Sequence, residues 1–212
     1  MNEFQMLFKF IIDGFVSPGS FCMWAILFVG FGILGMVAER VWYLYFKCGT
    51  GSGTFMASIS KYLKAGDYEK AIKYSASVVT PLAKSVSAIL QNRGKGTKAV
   101  QKSVDEVFLT EAPKITRNIP FFPTLANLAT LLGLMGTIYG LMIAFDAIAN
   151  VPAAQRAQAL ATGISVAMST TLWGLLVAIP TLLVHGILAN KADKLVEEMD
   201  EKTAKLINLV EE

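Results

Sequence analysis

The chain has 212 residues, 54% of them hydrophobic and only 17% charged, with a mean hydropathy of +0.51. That balance is too apolar for an ordinary water-soluble domain, and the formal net charge of +3 calls for no nucleic-acid partner. One histidine and two cysteines leave no multi-histidine or cysteine-cluster metal site within one chain, so no metal and no cofactor is expected.

A membrane-spanning helix needs about 20 largely apolar residues. Three stretches qualify, at 21–46, 121–149 and 162–188. The expected fold class is an all-α integral membrane protein: three transmembrane helices, an amphipathic N-terminal helix and a helical cytoplasmic domain.

In chain order, Phe4, Leu7, Phe8, Ile11 and Phe15 recur at helical spacing within residues 1–17, which reads as a helix lying in the membrane interface and ended by Ser17-Pro18-Gly19. A poorly ordered terminus is the alternative, and no cleavable signal is evident. Cys22 and Cys48 lie at opposite ends of the first span; a helix places them ~39 Å apart, too far to pair. Glu39 and Arg40 close that span, with Arg40 expected to snorkel toward water and Glu39 to pair between helices.

Residues 47–120 carry apolar faces at helical spacing, Leu82, Val86, Ile89 and Leu90 on one segment and Val100, Val104, Val107 and Phe108 on another. Breaks fall at "GTGSG" (49–53), Thr80-Pro81 and "NRGKG" (92–96). A compact helical domain is expected. From Lys47 to Arg117 there are twelve basic and five acidic residues, whereas the short connection at 150–161 has one basic residue, Arg156. Cytoplasmic segments carry the basic excess, so the large loop and the C-terminus are expected in the cytoplasm, the N-terminus and the 150–161 loop in the periplasm. Residues 189–212 keep Leu195, Met199, Lys202, Leu206 and Leu209 near helical spacing, and the third span is expected to continue as a cytoplasmic helix; a frayed tail is the alternative.

The second and third spans each have a smooth side. Ala126, Ala129, Gly133, Gly136, Thr137, Gly140, Ala144 and Ala147 share an arc of about 100° on the second, with Leu128, Leu132, Met135, Tyr139, Met142 and Ile143 largely opposite. On the third, Gly163, Ala167, Thr170, Thr171, Gly174, Ala178 and Thr181 share a similar arc. Gly133, Gly136, Gly140, Gly174 and Ala178 suit close helix packing. Such faces need neighbours to cover them, which points to a homo-oligomer in membrane lipid. Thr137, Thr170, Thr171 and Thr181 add hydroxyls that could line a narrow wet path without the cost of a buried charge. Asp146 lies roughly opposite the small stripe and is read as an interfacial or intersubunit group, with Arg156 as a candidate partner; a proton-carrying role is the alternative. His185 extends the small face of the third span, either as a proton group at an inner mouth or as an ordinary interfacial histidine.

"LLGLMGTIYGLMIAF" (131–145) and "STTLWGLLVAIP" (169–180) resemble the two signature spans of the MotA/TolQ/ExbB proton-channel family, ExbB/TolQ-like branch, over about residues 105–190. "GDYEKAI" (66–72) is also similar to the family's cytoplasmic helices. The resemblance implies a ring of this subunit, typically a pentamer, in a bacterial inner membrane, enclosing a single-span ExbD/TolR-like partner whose aspartate carries the proton. By motif position Thr137 and Thr171 match the family's pore threonines. One departure stands out: many ExbB and TolQ proteins have a glutamate five residues before the second threonine, where this chain has Val166. The function expected is thus an ion-driven motor, a proton channel coupled to protein transport or another mechanical task. The alternative is a non-conducting oligomeric scaffold. An intramembrane enzyme is not expected, because the spans hold no nucleophile with a plausible base.

Overall fold

The computed structural model describes Phe15, residues 20–49 and residues 51–211. The expected interfacial helix over residues 1–17 lies outside the described residues apart from Phe15, whose ring meets Trp24 and Trp173 edge-on at 5.4 and 5.7 Å. Helices account for nearly all of the rest, and no strand occurs among the described residues. Three helical stretches are long and apolar enough to cross a membrane. The protein is an all-α membrane protein.

The elements are α1 (Ser20–Trp42), a π-helical turn (Tyr43–Cys48), α2 (Ser52–Lys64), α3 (Tyr68–Ser77), α4 (Pro81–Gln91), α5 (Thr97–Thr116), α6 (Phe121–Asn150), a 3-10 turn (Ala153–Gln155) and α7 (Arg156–Glu211). Their described residues form two units, one of those up to Val37 together with Pro120–His185, the other of those within Ala38–Ile119 together with those from Gly186.

In the first unit apolar side chains point outward because lipid, not water, is their solvent. Phe28, Phe31, Met142, Phe145, Met168 and Leu183 are all exposed on the single chain. What is buried on α6, Phe122 near its start apart, is the small stripe: Ala126, Ala129, Gly133, Gly136, Gly140 and Ala144.

The second unit follows soluble-protein rules. α4 packs between α3 and α5, and α2 packs on α3. Phe55, Ile59, Leu82, Val86, Ile89, Val100 and Val104 form its core, completed by Met199, Leu206 and Ile207 from the far end of α7. Helix starts are set locally. Thr80 caps α4, its hydroxyl accepting from the Ala83 amide at 3.2 Å with Pro81 in the first turn, where a missing amide hydrogen costs nothing. Gly66, at φ 73°, makes the left-handed turn between α2 and α3. Ser52 at the start of α2 donates to Glu198 at 3.1 Å and accepts from Lys202 at 2.9 Å, tying α2 to the extension of α7.

Two features differ from the sequence expectation. α7 begins at Arg156 rather than within the apolar run, because "RAQALA" is polar enough to escape a hydropathy limit yet rich in good helix formers. Arg40 does not snorkel: it is 2% exposed, with Nη2 donating to Glu39 at 2.6 Å and Nη1 to the Lys114 carbonyl at 3.2 Å.

Candidate ion-pathway site

The small faces of α6 and α7 cover each other within one chain, so neighbouring subunits are not needed to bury them. A Cβ built on Gly133 would stand 3.1 Å from the Thr170 carbonyl oxygen, one on Gly140 3.0 Å from the Ala167 Cβ, and one on Gly174 2.7 Å from the Ala129 carbonyl oxygen. Backbone-to-backbone approach this close is available only to residues with little or no side chain.

Hydroxyls gather at the middle of this contact. Thr137 Oγ1 shares a hydrogen bond with Thr171 Oγ1 and also lies 3.1 Å from the Gly133 carbonyl and 3.3 Å from the Ala167 carbonyl. Thr171 Oγ1 is 3.2 Å from the same Gly133 carbonyl. Thr170 donates to the Ala167 carbonyl at 2.8 Å and approaches the Gly133 carbonyl at 3.3 Å. A hydroxyl has one proton to give and two lone pairs to receive with. Not all of these contacts to carbonyls can be made at once, so the group is one in which a hydroxyl proton has several places to point.

Position separates the four sequence-predicted threonines. Thr170 and Thr181 are buried, 3% and 4% exposed, and Thr181 spends its hydroxyl on the Val177 carbonyl at 2.6 Å. Thr137 and Thr171 are only half-buried. Ser169, not singled out from the sequence although it adjoins the threonines, is buried and donates to the Val166 carbonyl at 2.7 Å. Ala178 is buried as well.

Residues 77–201 match the MotA/TolQ/ExbB proton channel family. The chain belongs to that family. Similar curated proteins include an ExbB-homologous biopolymer transport protein of Methanothermobacter thermautotrophicus, 25% identical over 82% of this chain and 62% of that protein. A biopolymer transport protein of the ExbB type from Vibrio cholerae is 25% identical over 82% of this chain and 77% of its own length. A Tol-Pal system protein TolQ of Pseudomonas aeruginosa is 29% identical over 53% of this chain and 50% of its own. The chain therefore spans less than two thirds of the Methanothermobacter relative.

Within this family member the other ionisable candidates stand apart from the threonines. Asp146 is exposed, and no ion pair joins it to Arg156 among the described residues; Arg156 Nε instead approaches the Val151 carbonyl at 3.4 Å. His185 is half-buried.

A polar cluster in the second unit went unseen in the sequence. Glu111, 4% exposed, accepts from Lys114 at 2.7 Å and Lys84 at 2.9 Å. Burial pushes its carboxyl up, but the hydrogen bonds and charges of the two lysines outweigh that and hold it below the ordinary value. Only the Glu111–Lys114 pair, three apart on one helix, had a sequence signal.

Proposed function

We propose that the chain is the ring-forming subunit, typically pentameric, of an ion-driven inner-membrane motor, and that protons are the ion. The ring encloses a single-span ExbD/TolR-like partner carrying an intramembrane aspartate, and ion flow is converted into mechanical work on the envelope. The observation that carries this reading is the pair Thr137 and Thr171, half-buried, hydroxyl to hydroxyl, on two spans with no carboxylate on their shared face. The only acid in residues 121–149 is Asp146, and residues 162–188 have none.

Those hydroxyls suit a pathway whose charged group comes from a partner. A threonine can donate to a carboxylate in its charged form and accept from it in its protonated form, so it meets both states at low cost. The buried Thr170 then ties α7 to α6 through the Gly133 carbonyl, and the buried Thr181 satisfies its hydroxyl within α7, rather than meeting the partner. In this orientation the second unit and the C-terminus are cytoplasmic and the turn at residues 151–155 is periplasmic, as the basic residues favour.

The competing reading, a non-conducting scaffold, draws on the apolar side chains left exposed on the single chain, Phe31, Met142, Phe145 and Leu183 among them, which would serve assembly equally well. Co-expression with the partner and a proton-flux assay in liposomes separates the two. Flux that depends on the partner's aspartate and on Thr137 and Thr171 is the expected result. Assembled rings that pass no ion under an imposed gradient would leave only the scaffold.

A further inference from the structure

The second unit contains a cleft of about 250 Å³ where α1, its π-helical turn, α4 and α5 meet. This is many times the ~10–15 Å³ that an ordered water requires. Its lining is strongly cationic: Arg40, Lys47, Lys84, Lys114 and Arg117 face only Glu39 and Glu111. Both carboxylates are already engaged, Glu39 by Arg40 and Glu111 by Lys84 and Lys114 together. The cleft keeps an excess of three positive charges.

Tyr43 holds two of these cations in place, with the Arg40 guanidinium 5.2 Å and the Lys47 ammonium 5.6 Å from its ring centroid. Arg40 is fixed by its bonds to Glu39 and the Lys114 carbonyl, so the wall it forms is rigid. Lys47 and Arg117 are exposed and free of such fixing by an ion pair among the described residues.

The depth of the cleft in the membrane is given by the same turns. Trp42, Tyr45 and Phe46 are 70%, 46% and 69% exposed, at the point where the first apolar run ends. Exposed aromatic residues at the end of a span sit at headgroup level. A phosphate bound among these cations therefore lies beside the phosphates of the bilayer, and basic residues there attract anionic lipid.

We propose that this cleft is a binding site for the phosphate of an anionic phospholipid headgroup, one lipid per chain, held by charge-assisted hydrogen bonds from Lys47, Arg117 and the lysines of α4 and α5. The site is separate from the threonine pair and does not depend on the motor reading. Its occupant neutralises an otherwise repulsive cluster and fastens the π-helical turn to α4 and α5.

The test uses the chain in phosphatidylcholine nanodiscs, with phosphatidylglycerol titrated in and bound lipid counted by native mass spectrometry alongside the melting temperature. Saturation at one phosphatidylglycerol per chain, with a rise in melting temperature, is expected. Lys47→Gln with Arg117→Gln, both at exposed positions, should weaken that binding by roughly 30-fold, about fivefold for each basic residue. Lys98→Gln with Lys102→Gln removes the same charge elsewhere and should leave binding unchanged. Inorganic phosphate, added in a parallel titration, should not reproduce the rise. Equal binding by both double variants, non-saturating uptake, no binding at all, or a full melting-temperature rise with inorganic phosphate alone would each overturn the proposal.

Discussion

Thr137 and Thr171 meet hydroxyl to hydroxyl across two adjacent helices, and both reach toward a single carbonyl, that of Gly133, at 3.1 and 3.2 Å. The carbonyl is available because the residue that carries it has no side chain to hold the helices apart. The same smoothness that packs α6 on α7 thus brings the two hydroxyls together.

Thr171→Val keeps the shape of the side chain and removes the hydroxyl. Thr137 retains the Gly133 and Ala167 carbonyls as partners, so the stability loss should be about 1 kcal/mol or less. Ion flux should fall far more, by about 10- to 100-fold, if the hydroxyl contacts a charged carboxylate in the conducting complex. Thr137→Val should behave alike, and Asp146→Asn, on an exposed position away from the pair, should keep most of the flux. Proton flux in liposomes containing the co-expressed complex measures all three. Normal flux in both valine variants would remove the threonines from the pathway.

Glycine enlargement should sort by what the new methyl meets. Gly174→Ala pushes a Cβ to 2.7 Å from the Ala129 carbonyl oxygen, a backbone atom that cannot rotate away. Gly136→Ala meets the Thr170 side chain at 2.7 Å, and Thr170 is buried on every side. Each should cost about 1–3 kcal/mol, as overpacking does. Gly35→Ala has nothing within 4 Å and should be neutral or slightly stabilising in a helix. Thermal unfolding in mild detergent, followed by fluorescence, gives the ranking; an unstable Gly35→Ala beside an unchanged Gly174→Ala would contradict the packing described.

Much of the fold could be read from residues because lipid leaves few choices: a long apolar run must be a helix to satisfy its own backbone. The small stripe on α6 was visible as periodicity, and six of its eight residues are buried, all but Thr137 and Ala147. What covers them was not visible, since a smooth face fits an adjacent helix and a neighbouring subunit equally well. The basic cleft was hidden for another reason. Lys84 and Glu111 lie on different helices, and nothing local connects two residues that only the packing of α4 against α5 brings together. Arg40 looked like a snorkelling residue because its buried partner, a backbone carbonyl at Lys114, has no sequence signature.

The extension of α7 is a structural part of the second unit, so its loss should not be silent. Met199 is 2% exposed and Leu206 2% exposed, both in the core shared with α2 and α4. Met199→Ala should destabilise this unit by about 2–5 kcal/mol. Ser52→Ala, which removes a half-buried bridge between α2 and Glu198 and Lys202, should cost about 1 kcal/mol. Hydrogen exchange of α2 and α4 reads both, and unchanged protection in Met199→Ala would mean that the extension does not brace the unit.

Acid should loosen the contact between α4 and α5 before it affects the spans. The Glu111 carboxyl is held below its ordinary value in the folded chain, because Lys114 and Lys84 together outweigh its burial. A depressed carboxyl contributes stability that is fully present above the unfolded value, ~4.3, and lost as pH falls through the folded one. Protonation leaves two half-exposed ammonium groups facing a neutral acid, so the contribution at neutral pH is about 1–2 kcal/mol after allowance for solvent around the lysines. Glu111→Gln should therefore lower the stability of the unit at pH 7, yet bring wild type and variant together in acid, once the carboxyl is protonated in both the folded and unfolded states. Hydrogen exchange of α4 and α5 across that range follows the convergence. A variant that stays less stable than wild type by the same margin at both ends would show that Glu111 acts through its shape and not its charge.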